Sequence, residues 1–64
     1  MDFADKVKLV RKQFALSQEK FAVLLGVSFA TVNRWEQGKA IPNYRTVQKL
    51  IELCRECGIQ YEEM

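Results

Sequence analysis

Residues 28–38, SFATVNRWEQG, combine side-chain types that a merely solvated helix surface does not bring together. With Val32 and Trp35 turned inward and about 100° of rotation per residue, Ala30, Asn33, Arg34 and Gln37 fall on the far side, flanked by Phe29 and Thr31. An ordinary exposed face is rich in Glu and Lys, whereas this one offers a single guanidinium, amides, a methyl group and an aromatic ring. Each has a partner on the edge of a base pair. Arginine donates in bidentate fashion to guanine O6 and N7, an amide pairs with adenine N6 and N7, and a methyl or ring packs on the thymine methyl. Phe29, Ala30, Asn33 and Arg34 are therefore the candidate base-reading residues. The competing reading is that Phe29 packs sideways on the core and the others are idle surface.

Groups suited to phosphate flank this face. Gln18 opens one helix, and Tyr44 with Arg45 opens another, and each helix start has free backbone N–H groups that fit an anion. Lys20, Lys39 and Arg45 can add counterion-releasing contacts. A different chemistry is expected of Arg11 and Glu36. Arg11 lies four residues after inward-facing Val7, and Glu36 lies beside Trp35, so both sit at the edge of buried stripes. A bidentate pair between them would fasten the first helix to the third, a structural rather than a catalytic role.

Four helices must position these groups. Phe3, Val7, Val10 and Phe14 recur at steps of four, three and four, predicting a first helix over about residues 3–13 with Asp2 as its cap. Ser17 caps the second, with Leu16 before it and Phe21 at the fourth helical position as a hydrophobic staple. Phe21, Ala22 and Leu25 form its inward stripe, and Gly26 stops it because glycine accepts the left-handed conformation of a helix end. Ser28 caps the third helix only two residues later, and Val27 with Val32 repeats the staple. Two helices so closely joined meet at a steep angle. The third runs to about Gln37 and ends at Gly38; Pro42 keeps the following segment a loop. Asn43 caps a fourth helix whose Val47, Leu50, Ile51 and Cys54 share one face, and Gly58 ends it. IQYEEM, residues 59–64, has room for at most one further turn.

The totals bound the function. A chain of 64 residues is expected to form one domain, residues 1–64, burying only about 60% of the surface that its unfolded form exposes. Its stability should be thin. Residues 1–45 carry eight cations against four anions, and residues 46–64 carry two against four, so a polyanion would favour the N-terminal two-thirds. There is no apolar run of about 18 residues and no signal-like start, so no membrane is expected as a partner and the protein should stay in the cytoplasm. With no histidine and only Cys54 and Cys57, one chain cannot close a structural zinc site. Those cysteines fall near a helix end whose dipole opposes thiolate, and read as small apolar residues on or beside a buried face. No set of acids and bases converges and no glycine-rich phosphate loop is present, so neither an enzyme nor a cofactor is expected.

The segment LSQEKFAVLLGVSFATVNRWEQGKAIP resembles the helix-turn-helix of the lambda repressor and Cro-like, or XRE-type, regulators. The shared features are Gln18, Ala22, Gly26, Val32, Trp35, Glu36 and Gly38, centred on residues 17–38, and the similarity continues through the fourth helix. The resemblance implies an all-α, compact bundle of four to five short helices that binds double-stranded DNA, with the third helix in the major groove. Phe29, Ala30, Asn33 and Arg34 would then read bases. Ser17, Gln18, Lys20, Thr31, Gln37, Lys39, Asn43, Tyr44 and Arg45 would hold phosphates, and Arg11 with Glu36 resembles an ion pair seen in some members.

Three departures carry expectations of their own. Ala15 stands where many members have glycine, which implies a slightly different turn. Phe29 stands where polar readers are common and predicts a half-site with at least one thymine methyl. The chain also stops where members usually have a fifth helix or a further domain. Transcriptional repression is the expected output, although antitoxins and controller proteins share this fold. A homodimer on a palindromic operator and an additional domain or partner protein stay open. The alternative function is a protein-interaction module on the same scaffold, since fold does not settle function.

Overall fold

A short polar side chain opens every helix of the computed structural model, which describes residues 2–61. Asp2 Oδ1 accepts from the Asp5 N–H at 3.0 Å ahead of α1, Phe3–Gln13. Ser17 Oγ accepts from the Lys20 N–H at 3.1 Å ahead of α2, Gln18–Leu25. Ser28 Oγ accepts from the Thr31 N–H at 3.1 Å ahead of α3, Phe29–Glu36, and Asn43 Oδ1 accepts from the Thr46 N–H at 2.9 Å ahead of α4, Tyr44–Glu56. Each cap satisfies a donor that the helix itself cannot. Among the described residues the chain is all-helical, and α3 is one residue shorter than its sequence pattern suggests.

The helices end as uniformly as they begin. In all four, a left-handed residue follows the last turn, and the next N–H reaches back to the carbonyl five residues earlier: Leu16 to Arg11, Val27 to Ala22, Lys39 to Arg34 and Ile59 to Cys54. In three cases the left-handed residue is glycine; after α1 it is Ala15, at φ 57°. The turn after α1 is thus not a different turn, as the missing glycine suggested, but the same one made by a residue with a Cβ that crowds it. Ala15→Gly should accordingly raise stability by about 0.5–1 kcal/mol, the relief being partly offset by the freer unfolded chain. That corresponds to a thermal midpoint roughly 2–8 °C higher, and a midpoint that fell would contradict the account.

These ends set the helices around one core. Val7 and Val10 of α1, Phe21, Ala22 and Leu25 of α2, Val32 and Trp35 of α3, and Leu50 and Cys54 of α4 are buried together with Tyr61. α3 packs on α1 and α2, and α4 closes on α2. Phe14 and Phe21 meet at 6.5 Å beneath the α1–α2 turn, and Phe3 meets the Trp35 ring edge-on at 6.0 Å. Tyr61 seals the base with Lys6 lying 4.3 Å from its ring centre. Trp35 is the anchor that fixes the rotation of α3, because burying it and Val32 forces the opposite face outward.

One sequence-based reading changes on this frame. Cys54 is wholly buried, and burial pushes its thiol up, with Cys57 nearby adding to the effect. Cys57, however, faces solvent rather than a buried face, because it lies beyond the last regular turn of α4. No described helix is long and apolar enough to cross a membrane.

Candidate nucleic-acid interface

The turn Gly26–Val27–Ser28 joins α2 to α3 and leaves no slack. Gly26 is left-handed at φ 72°, Val27 donates to Ala22 at its start, and Ser28 caps at its end. Val27 packs against the core. The pair therefore presents α3 at one fixed angle.

On that helix Ala30, Arg34 and Gln37 are exposed, Thr31 and Asn33 are half-buried, and Phe29 keeps 49% of its surface exposed. No other helix covers this face, and Arg34 forms no ion pair among the described residues. Phe29 therefore does not lie buried sideways in the core. Thr31 is less free, since its hydroxyl lies 2.9 Å from Ser28 Oγ.

The phosphate candidates lie at helix starts and in the loop after α3. Ser17 and Asn43 are exposed, with their side-chain oxygens engaged as caps. Lys20, Lys39 and Arg45 are exposed and, among the described residues, unmatched by an acidic partner. Tyr44 stands out at the start of α4 with 79% exposure. Gln18 differs from the rest: it is half-buried, and its amide nitrogen donates to Glu36 Oε1 at 3.0 Å.

Glu36 is the centre of a network that sequence separation concealed. Arg11 Nε donates to Oε2 at 2.7 Å and Nη2 to Oε1 at 3.0 Å, while Nη1 donates to the Leu16 carbonyl at 3.0 Å. Burial pushes the Glu36 carboxyl up, but the hydrogen bonds from Arg11 and Gln18 and the Arg11 charge outweigh it and hold it below the usual carboxylate range. The same hydrogen bond raises the Arg11 guanidinium above its ordinary value, against its own partial burial. One ion pair thus joins α1, the α1–α2 turn, the start of α2 and the end of α3. The Arg11–Glu36 contact could be anticipated from the edges of two stripes; the Gln18 contact had no local signal.

Two short helices about a tight turn, the second anchored by one face and bare on the other, define a helix-turn-helix domain. Residues 7–61 match the helix-turn-helix family, and the chain belongs to it in its XRE-type, lambda repressor and Cro-like form. That family is a DNA-binding regulatory one. The chain is similar to Antitoxin HigA-2 of Vibrio cholerae serotype O1 (strain ATCC 39315 / El Tor Inaba N16961), with 41% identity over 46 residues, 72% of this chain and 44% of the relative. It therefore spans less than half the length of that curated relative. No solved structure matches the chain.

Proposed function

We propose that residues 1–64 form the sequence-reading domain of a transcriptional regulator, a repressor that occupies duplex DNA with α3 in the major groove. The observation that carries this reading is the uncovered face of α3, where Ala30 and Arg34 project from a helix held by Val32 and Trp35. Arg34 would donate to a guanine, Asn33 would pair with an adenine or reach a phosphate, and Ala30 and Phe29 would contact thymine methyls. Ser17, Gln18, Lys20, Thr31, Gln37, Lys39, Asn43, Tyr44 and Arg45 would hold the flanking phosphates. The likeness to an antitoxin supports a regulatory role, and the work on DNA would be done in the cytoplasm.

Selection of bound fragments from a random duplex pool tests the reading directly. A recovered site with thymine in each half and an inverted repeat would support a homodimer on a palindromic operator. With three cations facing phosphates, Lys20, Lys39 and Arg45, the plot of log affinity against log salt should fall with a slope of about −3 per protomer. A protein-interaction module would bind no duplex even at low salt.

A further inference from the structure

We infer that Glu36, although it faces no DNA itself, is a positioning residue of the proposed interface: it orients the Gln18 side-chain amide at the start of α2 so that a phosphate meets donors there. The inference rests on the DNA-binding reading above.

A carboxylate only accepts hydrogen bonds, so the contact at 3.0 Å settles which end of the Gln18 amide faces Glu36. The NH2 group turns inward, one N–H serves Glu36, and the second N–H stays free to donate. A flipped amide would set its carbonyl oxygen against the carboxylate. Ser17 Oγ takes the Lys20 N–H and the Ser17 carbonyl takes the Phe21 N–H at 2.9 Å, which leaves the backbone N–H groups of Gln18 and Glu19 without a helical partner. The free amide N–H and these two groups share one end of α2.

Orientation matters more here than charge. Glu19 and Lys20 occupy the same turn and cancel, so a phosphate must be held by aimed donors. Beneath them, Arg11 neutralises Glu36 and grips the Leu16 carbonyl, the residue before the Ser17 cap, so no uncompensated anion lies under the bound phosphate. Since Glu36 is the last residue of α3, the same carboxylate ties the phosphate grip on α2 to the far end of the reading helix. Their spacing is thereby fixed before DNA arrives.

The test uses a duplex selected by the wild-type chain from a random pool and resynthesised with single methylphosphonates, each removing the charge of one phosphate. For the wild type, one substitution per half-site should cost about tenfold in affinity through the α2 start. Gln18→Ala should cut that penalty to about threefold, the share of the backbone N–H groups, Glu36→Gln should cut it likewise at the same phosphate, and penalties at other phosphates should persist in both variants. If Glu36→Gln binds more weakly but keeps the penalty, Glu36 is only structural and the inference is wrong. It is equally wrong if Gln18→Ala leaves every penalty intact. Should Glu36→Gln fail to fold, the Gln18 side-chain amide of the wild type decides by NMR: one downfield, slowly exchanging proton in the free protein and a shift of its partner on DNA titration are required, and the lack of either overturns the proposal. Absence of any duplex binding by the wild type at low salt would instead reject the DNA-binding reading, and this inference with it.

Discussion

Replacing Arg11 by methionine should remove about 3–5 kcal/mol, a third or more of the roughly 3–10 kcal/mol available to a domain of this size, and should reverse its response to acid. The two partners are not buried equally: the Glu36 side chain is 3% exposed and that of Arg11 18%. Without Arg11, Glu36 is stranded as a buried charge, and the Leu16 carbonyl loses its donor as well. Glu36→Gln should be milder, about 1–3 kcal/mol, because Arg11 can turn its guanidinium toward water. In the wild type the Glu36 carboxyl lies below its unfolded value. The folded state then binds fewer protons, so this contribution is fully present above the unfolded pKa of about 4.3 and is lost as pH falls through the folded value. In Arg11→Met, desolvation, the largest influence, is opposed only by the Gln18 hydrogen bond and the Lys8 charge; it should raise the carboxyl, so that the folded state binds more protons and stability increases as pH falls from about 7 to 5. Urea midpoints at the two pH values measure both effects. A variant that lost under about 1 kcal/mol, or that weakened with acid over this range, would show that Glu36 reaches water more easily than its burial indicates.

Arg34→Ala should cost about 1–3 kcal/mol of discrimination at one base pair, or about 5–150-fold, and leave the unfolding midpoint unchanged. The second half of that expectation makes the first readable. Arg34 is exposed and has no acidic partner among the described residues, so its loss should remove the proposed DNA contact and nothing from the core. Lys39→Ala should instead weaken all sequences about equally and reduce the salt slope by about 1. Fragment selection with each variant separates the two patterns. An unchanged preferred site in Arg34→Ala would remove Arg34 from the readers and shift attention to Asn33.

Much of this molecule could be read from sequence because its signals are local. Asp2, Ser17, Ser28 and Asn43 sit directly before apolar stripes of helical spacing, and a cap needs only its own first turn. Val32 and Trp35 fix the rotation of α3 by a three-residue step, which also decides that Ala30 and Arg34 lie outside. What could not be read depends on how distant segments meet. Gln18 reaches Glu36 only because of the angle between α2 and α3, and Tyr61 is buried because the chain after α4 returns to the core, where Lys6 of α1 lies over its ring. Ala15 misled for another reason: the missing glycine suggested a new turn, whereas the hydrogen bonds of the helix end hold an alanine in the old one.

The stiffness of the Gly26–Val27–Ser28 corner has a consequence for control. A probe welded to its support cannot be switched by swinging, since no joint lies between α2 and α3 to be locked or released. A signal that silences the proposed DNA binding would act from outside the motif, by masking the bare face of α3 or by lowering the number of molecules. A small effector lodged within the motif would have to melt the domain before it could turn the reader aside.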